Sequence, residues 1–341
     1  MGGIKVHLKE AEKVIRLLKN NNLYDFSRKI KKMEEYVIIP VTSPKEVKKL
    51  IKDAIFVRAR LSKIKKIKKI KDAVAGKLTN KELKIIRNSY DVVGSIAILE
   101  IPKELEKKEK IIAKEIIKMN GRVKTIVKKL GAHIGKFRVQ KMKYLAGKKT
   151  KETIHRENGV SIKLNVEKAY FSPRLSSERL RISKLVKKGE KVLVMFSGVA
   201  PYVCVIAKNS DAKEIVGVEI NPEAHKYATE NIIINKIKNA RLYLGDVKKI
   251  VPALQEKFDR IIMPLPKSAE DFLDVAFSAS KKGTIIHFYD FLHESEIPHR
   301  ALYKIEKVCK EKNIKWKLNG YFKCGQHSPR VYRVCVDFEV L

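Results

Sequence analysis

Residues 191–202, KVLVMFSGVAPY, decide the fold class, because they read as a buried apolar strand that runs into a turn containing Gly198. Helical patterns separate this strand from further apolar segments at residues 215–219, 241–244, 259–263 and 284–289. Strands that alternate with helices predict a mostly parallel sheet with helices on both faces. The sequence therefore predicts an α/β domain over residues 166–341.

The end of the chain departs from this alternation. Residues 315–322 and 331–340 read as two consecutive strands, joined through the turn-rich residues 324–329. We therefore expect the sheet to close with an antiparallel hairpin. Such a hairpin is typical of one class of transferase sheet and is not expected in a plain dehydrogenase.

Two acidic residues mark the ends of successive strands. Glu219 ends the second strand, and Asp246 follows Gly245 at the end of the third. A carboxylate at the first position can accept both ribose hydroxyls of a nucleoside-bearing cofactor, and one at the second can accept an adenine amino proton. Each residue alone also suits a helix cap or a turn. Together they predict a cofactor site, with Gly198 allowing close backbone approach.

The turn after the fourth strand carries two prolines, Pro264 and Pro266, followed by Lys267. Proline fixes the backbone and removes N–H donors. The segment suits a rigid pocket floor that offers carbonyls to a base, or simply a stiffened loop.

Charge indicates the second partner. The 341 residues carry a formal charge of +37, of which +26 lies in residues 1–150. A basic surface that neutralises phosphates predicts binding to a polyphosphate such as RNA. No stretch has the length of apolar sequence that crosses a bilayer, so we expect a cytoplasmic protein without a membrane partner. Cysteines at 204, 309, 324 and 335 form no CxxC pair, and we predict no metal site.

Ahead of the α/β domain, the pattern predicts two smaller α/β or α+β domains. We assign residues 1–60 to an N-terminal RNA-binding module and residues 61–88 to a basic linker that contains KIKKIKKIK at residues 63–71. Residues 89–165 form the middle domain, with a single strand expected over residues 92–101.

Specific motifs add a family resemblance. The chain contains FRV (137–139), IHRENG (154–159), YFSPRLSSER (170–179), FSGVAPY (196–202), VEINPEA (218–224), GDV (245–247), PLPK (264–267) and HFYDFLHESEI (287–297). In this order they resemble archaeal tRNA (guanine-N1)-methyltransferases, which modify guanosine 37 beside the anticodon. The resemblance is strong over residues 90–341. It implies a Rossmann-type class I methyltransferase domain, S-adenosylmethionine as cofactor, and a tRNA bound at its anticodon loop and elbow by a monomeric enzyme.

The resemblance also implies roles for individual residues. Glu178 matches the proposed base for the guanine N1 proton, and Arg138 matches the arginine that faces O6. The expected cofactor-binding residues are Tyr170, Phe171, Arg174, Arg179, Phe196, Gly198, Val199, Glu219, Ile220, Asp246, Val247 and Pro264. The expected substrate-binding residues are Met263, Pro266 and Lys267. For Glu178, an ordinary salt bridge with Arg181 is the alternative.

One departure bears on substrate choice. Common members of the family have Asn where this chain has Met263, which removes a polar contact to guanine. We therefore keep a second activity open, C7-methylation of the wyosine precursor 4-demethylwyosine. The alternatives from other classes are an aminocarboxypropyl transferase of the wyosine pathway and a non-catalytic RNA-binding protein.

Overall fold

The structure is a computed structural model that describes residues 3–63, 70–265 and 267–341. The chain divides into two compact units, with the boundary between residues 69 and 70. This boundary falls inside the predicted basic linker. The KIKKIKKIK segment lies largely outside the described residues.

The first unit is a small antiparallel sheet with two helices. Its elements are β1 (Gly3–His7), α1 (Ala11–Asn20), β2 (Lys31–Lys32), β3 (Tyr36–Pro40), α2 (Pro44–Leu50) and β4 (Ile55–Val57). The described strands lie in the order β2-β3-β1-β4. Ile4, Leu18, Ile39 and Val47 are buried between the sheet and the helices and supply its core. Proline at the first position of α2 suits a helix start, where its missing N–H has no partner to lose.

The second unit begins with a mixed sheet. Its elements are α3 (Ile70–Val74), α4 (Asn80–Ile85), β5 (Asp91–Val93), β6 (Ile96–Leu99), α5 (Glu109–Met119), β7 (Thr125–Ile134) and β8 (Val139–Gly147). The strands lie in the order β5-β6-β7-β8, and only β6 and β7 among them pair in parallel. An antiparallel hairpin follows, formed by β9 (Glu152–Glu157) and β10 (Val160–Asn165).

The single strand predicted over residues 92–101 is wrong, because the chain turns at Gly94 to form β5 and β6. Gly94 has a φ of 56°, in the left-handed region that glycine adopts without strain. A Cβ atom at this position would lie 2.3 Å from the Thr153 hydroxyl oxygen, so a side chain would clash. The turn therefore depends on glycine, a constraint that strand periodicity does not reveal.

The remaining residues form the large sheet and its helices. The elements are α6 (Ser176–Leu185), β11 (Lys191–Met195), α7 (Pro201–Asn209), β12 (Glu214–Glu219), α8 (Pro222–Ile234), β13 (Ala240–Leu244), α9 (Val247–Ala253), β14 (Phe258–Met263), α10 (Leu273–Ser278), β15 (Ser280–His293), α11 (His299–Glu311), β16 (Trp316–Ser328) and β17 (Val331–Val340). Within the described residues the sheet has seven strands in the order β13-β12-β11-β14-β15-β17-β16.

The predicted fold class is confirmed. Strands β11 to β15 run parallel, and β17 lies antiparallel between β15 and β16. Helices α6, α7 and α8 cover one face, while α9, α10 and α11 cover the other. The strand order reverses between β11 and β14, which is where such sheets open a crevice at their carboxyl ends.

The terminal hairpin extends further than the sequence predicts. Residues 324–328, which read as a turn, continue β16, and the chain reverses at Pro329 and Arg330. Arg330 takes the left-handed conformation with a φ of 60°, and its guanidinium pairs with Glu294 at 2.7 Å. No helix among the described residues is both long and apolar enough to cross a membrane.

Candidate functional site

The turn after β11 is unusual in its backbone. Phe196, Gly198 and Ala200 all have positive φ values, of 55°, 59° and 61°. Residues other than glycine rarely take this conformation, and they do so most often at functional sites. The turn presents the Gly198 N–H to Glu219 and then continues into α7, so a ligand at this edge meets backbone at close range.

A cleft of about 170 Å³ opens at the ends of β11 to β14, and we call it the strand-end cleft. It lies where the strand order predicts a ligand site. The predicted cofactor residues that line it are Tyr170, Phe196, Gly198, Glu219, Ile220, Asp246, Val247 and Pro264. The structure thus brings together most of the residues that the sequence assigns to the cofactor.

Glu219 lies on the wall of this cleft with its carboxylate almost fully buried. One oxygen accepts the Gly198 N–H at 2.7 Å, and the other accepts the Asn221 N–H at 2.8 Å. Burial raises the pKa of Glu219, although backbone N–H groups of Asn221, Gly198 and Ile220 oppose the shift. The two oxygens offer about four acceptor positions, so these N–H groups leave the side chain able to accept from a ligand hydroxyl as well. A carboxylate acceptor at this position fits the hydroxyls of a ribose.

Asp246 also lines the cleft, at the N-cap of α9. One carboxylate oxygen accepts the Lys248 N–H at 3.0 Å, so Asp246 caps the helix. The other oxygen lies 3.4 Å from the ammonium nitrogen of Lys136, which belongs to the loop between β7 and β8. Asp246 therefore caps α9 and also lines the strand-end cleft.

A second cavity, of about 350 Å³, adjoins the cleft and shares Tyr170 and Arg138 with it; we call it the Tyr170 cavity. Phe171 and Arg174 line this cavity and not the cleft. Arg174 pairs with Asp91 at 2.7 Å. Phe171 and Arg174, which the sequence assigns to the cofactor, therefore line the Tyr170 cavity and not the strand-end cleft.

Arg138 projects from the loop between β7 and β8 to the border of both cavities. Its backbone is left-handed, with a φ of 50°. One terminal nitrogen donates to the Lys267 carbonyl oxygen over a long 3.4 Å. Burial lowers the pKa of Arg138, and the nearby charge of Arg333 lowers it further, while Tyr170 opposes the shift. A guanidinium that burial destabilises in this way favours an electron-rich ligand.

Two of the predicted cofactor residues line neither cavity. Arg179 is 1% exposed and makes two hydrogen bonds to Glu157, at 2.5 and 2.6 Å. It also donates to the Ser172 carbonyl oxygen at 3.1 Å, which holds the segment that carries Tyr170 and Phe171. Val199 is fully buried beneath the turn. The direct cofactor contacts expected for this pair stay predictions.

The residues predicted to contact the substrate differ in their burial, and none of those that the structure describes lines a cavity. The Met263 side chain is fully buried in the core and lines neither cavity, although Pro264 beside it lines the strand-end cleft. Lys267 is exposed, and Pro266 lies outside the described residues. The predicted contacts of Met263, Pro266 and Lys267 with a base stay predictions.

Glu178 lies in a buried polar network on α6. Its carboxylate accepts two hydrogen bonds from Arg181, both at 2.8 Å, and one from the Tyr289 hydroxyl at 2.6 Å. The hydroxyl of Tyr202 in turn donates to Tyr289 at 3.0 Å. Glu178 lines neither the strand-end cleft nor the Tyr170 cavity. Because Arg181 and Tyr289 occupy its carboxylate, a ligand proton can reach it only if one of these partners moves.

The network continues through Arg181 to β17. Arg181 donates to Asp337 at 2.6 Å, and Asp337 contacts His287 Nδ1 at 2.7 Å. Arg260 can only donate, so His287 Nε2 accepts from it at 2.8 Å and Nδ1 carries the proton. Burial would raise the pKa of Asp337, but hydrogen bonds from His287 and Arg181 hold it well below its usual value. Burial lowers the pKa of His287, although Asp337 opposes the shift.

The sequence did not predict Tyr289 or Asp337 as members of this network. It predicted Arg181 only as a salt-bridge partner of Glu178. One signal was present in the sequence. Arg333, Cys335 and Asp337 occupy alternate positions along β17, and the residues between them are apolar. Polar residues at every second position of a central strand indicate a shared polar face.

Three family models match the chain. Residues 153–317 match the TRM5/TYW2 methyltransferase domain, residues 70–150 the TYW2 N-terminal domain, and residues 3–49 the tRNA methyltransferase 5 N-terminal domain. Together these matches extend from the first strand to the start of the terminal hairpin.

Individual relatives match over the whole chain or most of it. The tRNA (guanine(37)-N(1))-methyltransferase Trm5b of Pyrococcus abyssi is 36% identical over 99% of this chain and 98% of its own. Its crystal structure superposes with a TM-score of 0.73 over 100% of this chain and 99% of that one. The aTrm5 structure in complex with tRNALeu has 30% identity and a TM-score of 0.71 over 100% of both chains. Taw22 of Nanoarchaeum equitans, a tRNA (guanine(37)-N(1))/4-demethylwyosine(37)-methyltransferase, is 33% identical over 74% of this chain and 100% of its own.

Proposed function

Because the chain belongs to the TRM5/TYW2 methyltransferase family, we propose that it methylates N1 of guanosine 37 in tRNA, with S-adenosylmethionine as the methyl donor. The observation that carries the proposal is the strand-end cleft, which Glu219 and Asp246 both line beside the left-handed turn at Gly198. Bound S-adenosylmethionine supplies an electrophilic methyl group. The cleft residues bind and orient it.

In this proposal each cleft carboxylate holds a different part of the cofactor. Glu219 accepts from the ribose hydroxyls at the acceptor positions that its backbone N–H partners leave open. Asp246 accepts from the adenine amino group. The backbone of Gly198 lies against the cofactor, where a side chain would narrow the cleft.

The acceptor base needs two further groups. Guanine N1 carries a proton that must leave when the nitrogen gains a methyl group, and O6 gains negative charge as that proton leaves. Arg138, at the border of both cavities, donates to O6. Glu178 accepts the N1 proton after one of its donors, Arg181 or Tyr289, moves away. Arg181 stays paired with Asp337 in that step.

The test uses transcripts that differ only at position 37. With labelled S-adenosylmethionine, a guanosine-37 tRNA should accept the methyl group and an adenosine-37 tRNA should not. Equal labelling of both transcripts would show that the enzyme modifies another nucleotide.

A second product, the C7-methylated form of 4-demethylwyosine, is favoured by the similarity to Taw22 over 74% of the chain. Precursor-containing tRNA tests it directly. A methylated tricyclic nucleoside supports the second activity, whereas transfer of an aminocarboxypropyl group would support the alternative transferase.

The N-terminal unit supplies affinity for the body of the tRNA in this proposal. Residues 1–69 carry 20 Lys and Arg residues against 7 Asp and Glu residues. Removing residues 1–69 should raise the KM for tRNA by at least about tenfold and flatten its dependence on salt, because fewer phosphates are neutralised. The two units have separate cores, so the cofactor dissociation constant should not change. Steady-state kinetics between 50 and 200 mM salt, about the range where such effects are large, provide the measurement.

A matched comparison guards against a general loss of structure. Cofactor binding to the truncated chain, measured by calorimetry, should equal that of the full chain. A parallel loss of cofactor affinity would contradict the assignment of residues 1–69 to tRNA binding alone.

A further inference from the structure

Two buried polar atoms in the wall of the Tyr170 cavity lack partners. Arg333 on β17 is 8% exposed, and its Nε–H meets no acceptor among the described residues. Gln140 on β8 is 6% exposed, and its side-chain oxygen meets no donor in the described part of the chain. Both residues line the same cavity. An unpaired buried donor or acceptor is costly, so this pair indicates a ligand.

The chemistry of each atom is fixed by its other contacts. Gln140 Nε2 donates to the Gly131 carbonyl oxygen at 2.5 Å, which establishes that the unpaired end of the amide is the oxygen. Arg333 Nη2 donates to the Tyr170 hydroxyl at 3.0 Å, which fixes the guanidinium in place. Among the described residues, these two side chains therefore offer an unused donor and an unused acceptor to the cavity.

Aromatic rings accompany these atoms. The Arg333 guanidinium lies 5.0 Å from the ring centre of Phe291, and Phe291 stacks on His327 with ring centres 4.1 Å apart and planes 27° apart. Phe291 and His327 also line the cavity. A flat ligand with its own polar edge suits such a wall.

A phosphate would satisfy only half of this arrangement, since it offers acceptors and no donor to Gln140. A nucleobase has both. Guanine carries N7 and O6 as neighbouring acceptors on one edge and a 2-amino donor on another. Arg138, in the loop just before β8, and Gln140 on β8 both line this cavity.

We propose that the Tyr170 cavity receives the target guanine, with Arg333 donating to N7 and Gln140 accepting from the 2-amino group. The inference rests on the proposed function, because Arg138 already takes O6 there. N7 is then the acceptor next to O6, and Arg333 lies near enough to Arg138 for their charges to interact. Arg333 and Gln140 are thus specificity-determining residues for the base.

The test measures equilibrium binding of the full chain to synthetic tRNAs with guanosine, inosine, 7-deazaguanosine or an abasic site at position 37. Wild type should bind guanosine about tenfold more tightly than inosine or 7-deazaguanosine, the usual size of one base contact. Arg333→Lys keeps the charge but lacks Nε–H, so it should lose the preference over 7-deazaguanosine only. Gln140→Met should lose the preference over inosine only.

Arg330→Lys is the matched control, since Arg330 is exposed and pairs with Glu294 outside the cavity. It should keep both preferences. Affinity for the abasic tRNA does not depend on contacts to the base, so it reports correct folding and contacts to the RNA backbone. A misfolded variant would lose this affinity as well. In that case the base preferences of the other variant test the proposal.

Binding is read without methyl transfer, so the two proposals fail separately. Selective binding without methylation of guanosine would overturn the proposed function alone. Methylation with both preferences unchanged in both variants would overturn the assignment of Arg333 and Gln140. A wild type that binds all four tRNAs equally would also overturn it.

Discussion

Replacing Glu178 by glutamine should lower the single-turnover rate of guanosine methylation by about 10²- to 10⁴-fold, the usual contribution of a general base. Glutamine keeps the shape of the side chain but cannot take the N1 proton. The loss should appear in the rate at saturating tRNA and cofactor, with dissociation constants close to those of wild type. Rapid-quench kinetics with labelled cofactor give this rate directly.

Because Glu178 is 5% exposed and bonded to Arg181 and Tyr289, a structural role must be separated from a chemical one. Tyr289→Phe is the matched control. It removes one hydrogen bond to the same carboxylate and leaves the proton acceptor in place, so its rate should fall by less than about tenfold, the equivalent of one hydrogen bond. Equal rate losses in the two variants, or a wild-type rate in Glu178→Gln, would end the general-base assignment.

Replacing Glu219 by alanine should weaken cofactor binding by about 1–3 kcal/mol, or roughly 5- to 150-fold, because the ribose hydroxyls and two backbone N–H groups lose their acceptor. Calorimetric titration with S-adenosylmethionine measures the effect. Glu223→Ala is the control, since Glu223 lies in the first turn of α8, just after Glu219 in sequence, and pairs with Lys168 at the surface. An unchanged dissociation constant in Glu219→Ala would remove this residue from the site.

The raised pKa of Glu219 adds a pH dependence. The ribose hydroxyls donate to the ionised carboxylate, so binding favours the deprotonated form. As the pH falls through the raised pKa of the free enzyme, cofactor affinity should fall by up to about tenfold per pH unit. Glu219→Gln cannot titrate and should flatten this profile. Identical profiles for wild type and Glu219→Gln would show that another group is responsible.

The large sheet could be predicted closely from the sequence. Strand β11 and strand β17 occupy the predicted residues, because long apolar runs bounded by turn residues leave few alternatives. One error in this sheet arises where a strand is exposed. Residues 324–328 contain glycine, serine and histidine and read as a turn, yet cross-strand pairing with β17 keeps them extended.

Some residues of the candidate site could also be predicted from the sequence, and others could not. Glu219 and Asp246 were predictable because each ends a strand, and parallel strands bring their ends to one edge. The partners of Glu178 were not, since Tyr289 lies 111 residues away in sequence and depends on how α6 packs on the sheet. Arg333 and Gln140 emerge only when β8 and β17 line one cavity. Local pattern carries no information about such distant pairs.

The central claim is methyl transfer to N1 of guanosine 37, and nucleoside mass spectrometry tests it most directly. Unmodified tRNA with guanosine at position 37 is incubated with the enzyme and S-adenosylmethionine, digested to nucleosides and compared with standards. Our account predicts N1-methylguanosine, located at position 37 by fragment mapping, in amounts that depend on Glu178. An unmodified guanosine 37, or an aminocarboxypropyl nucleoside in place of the methylated one, would contradict it.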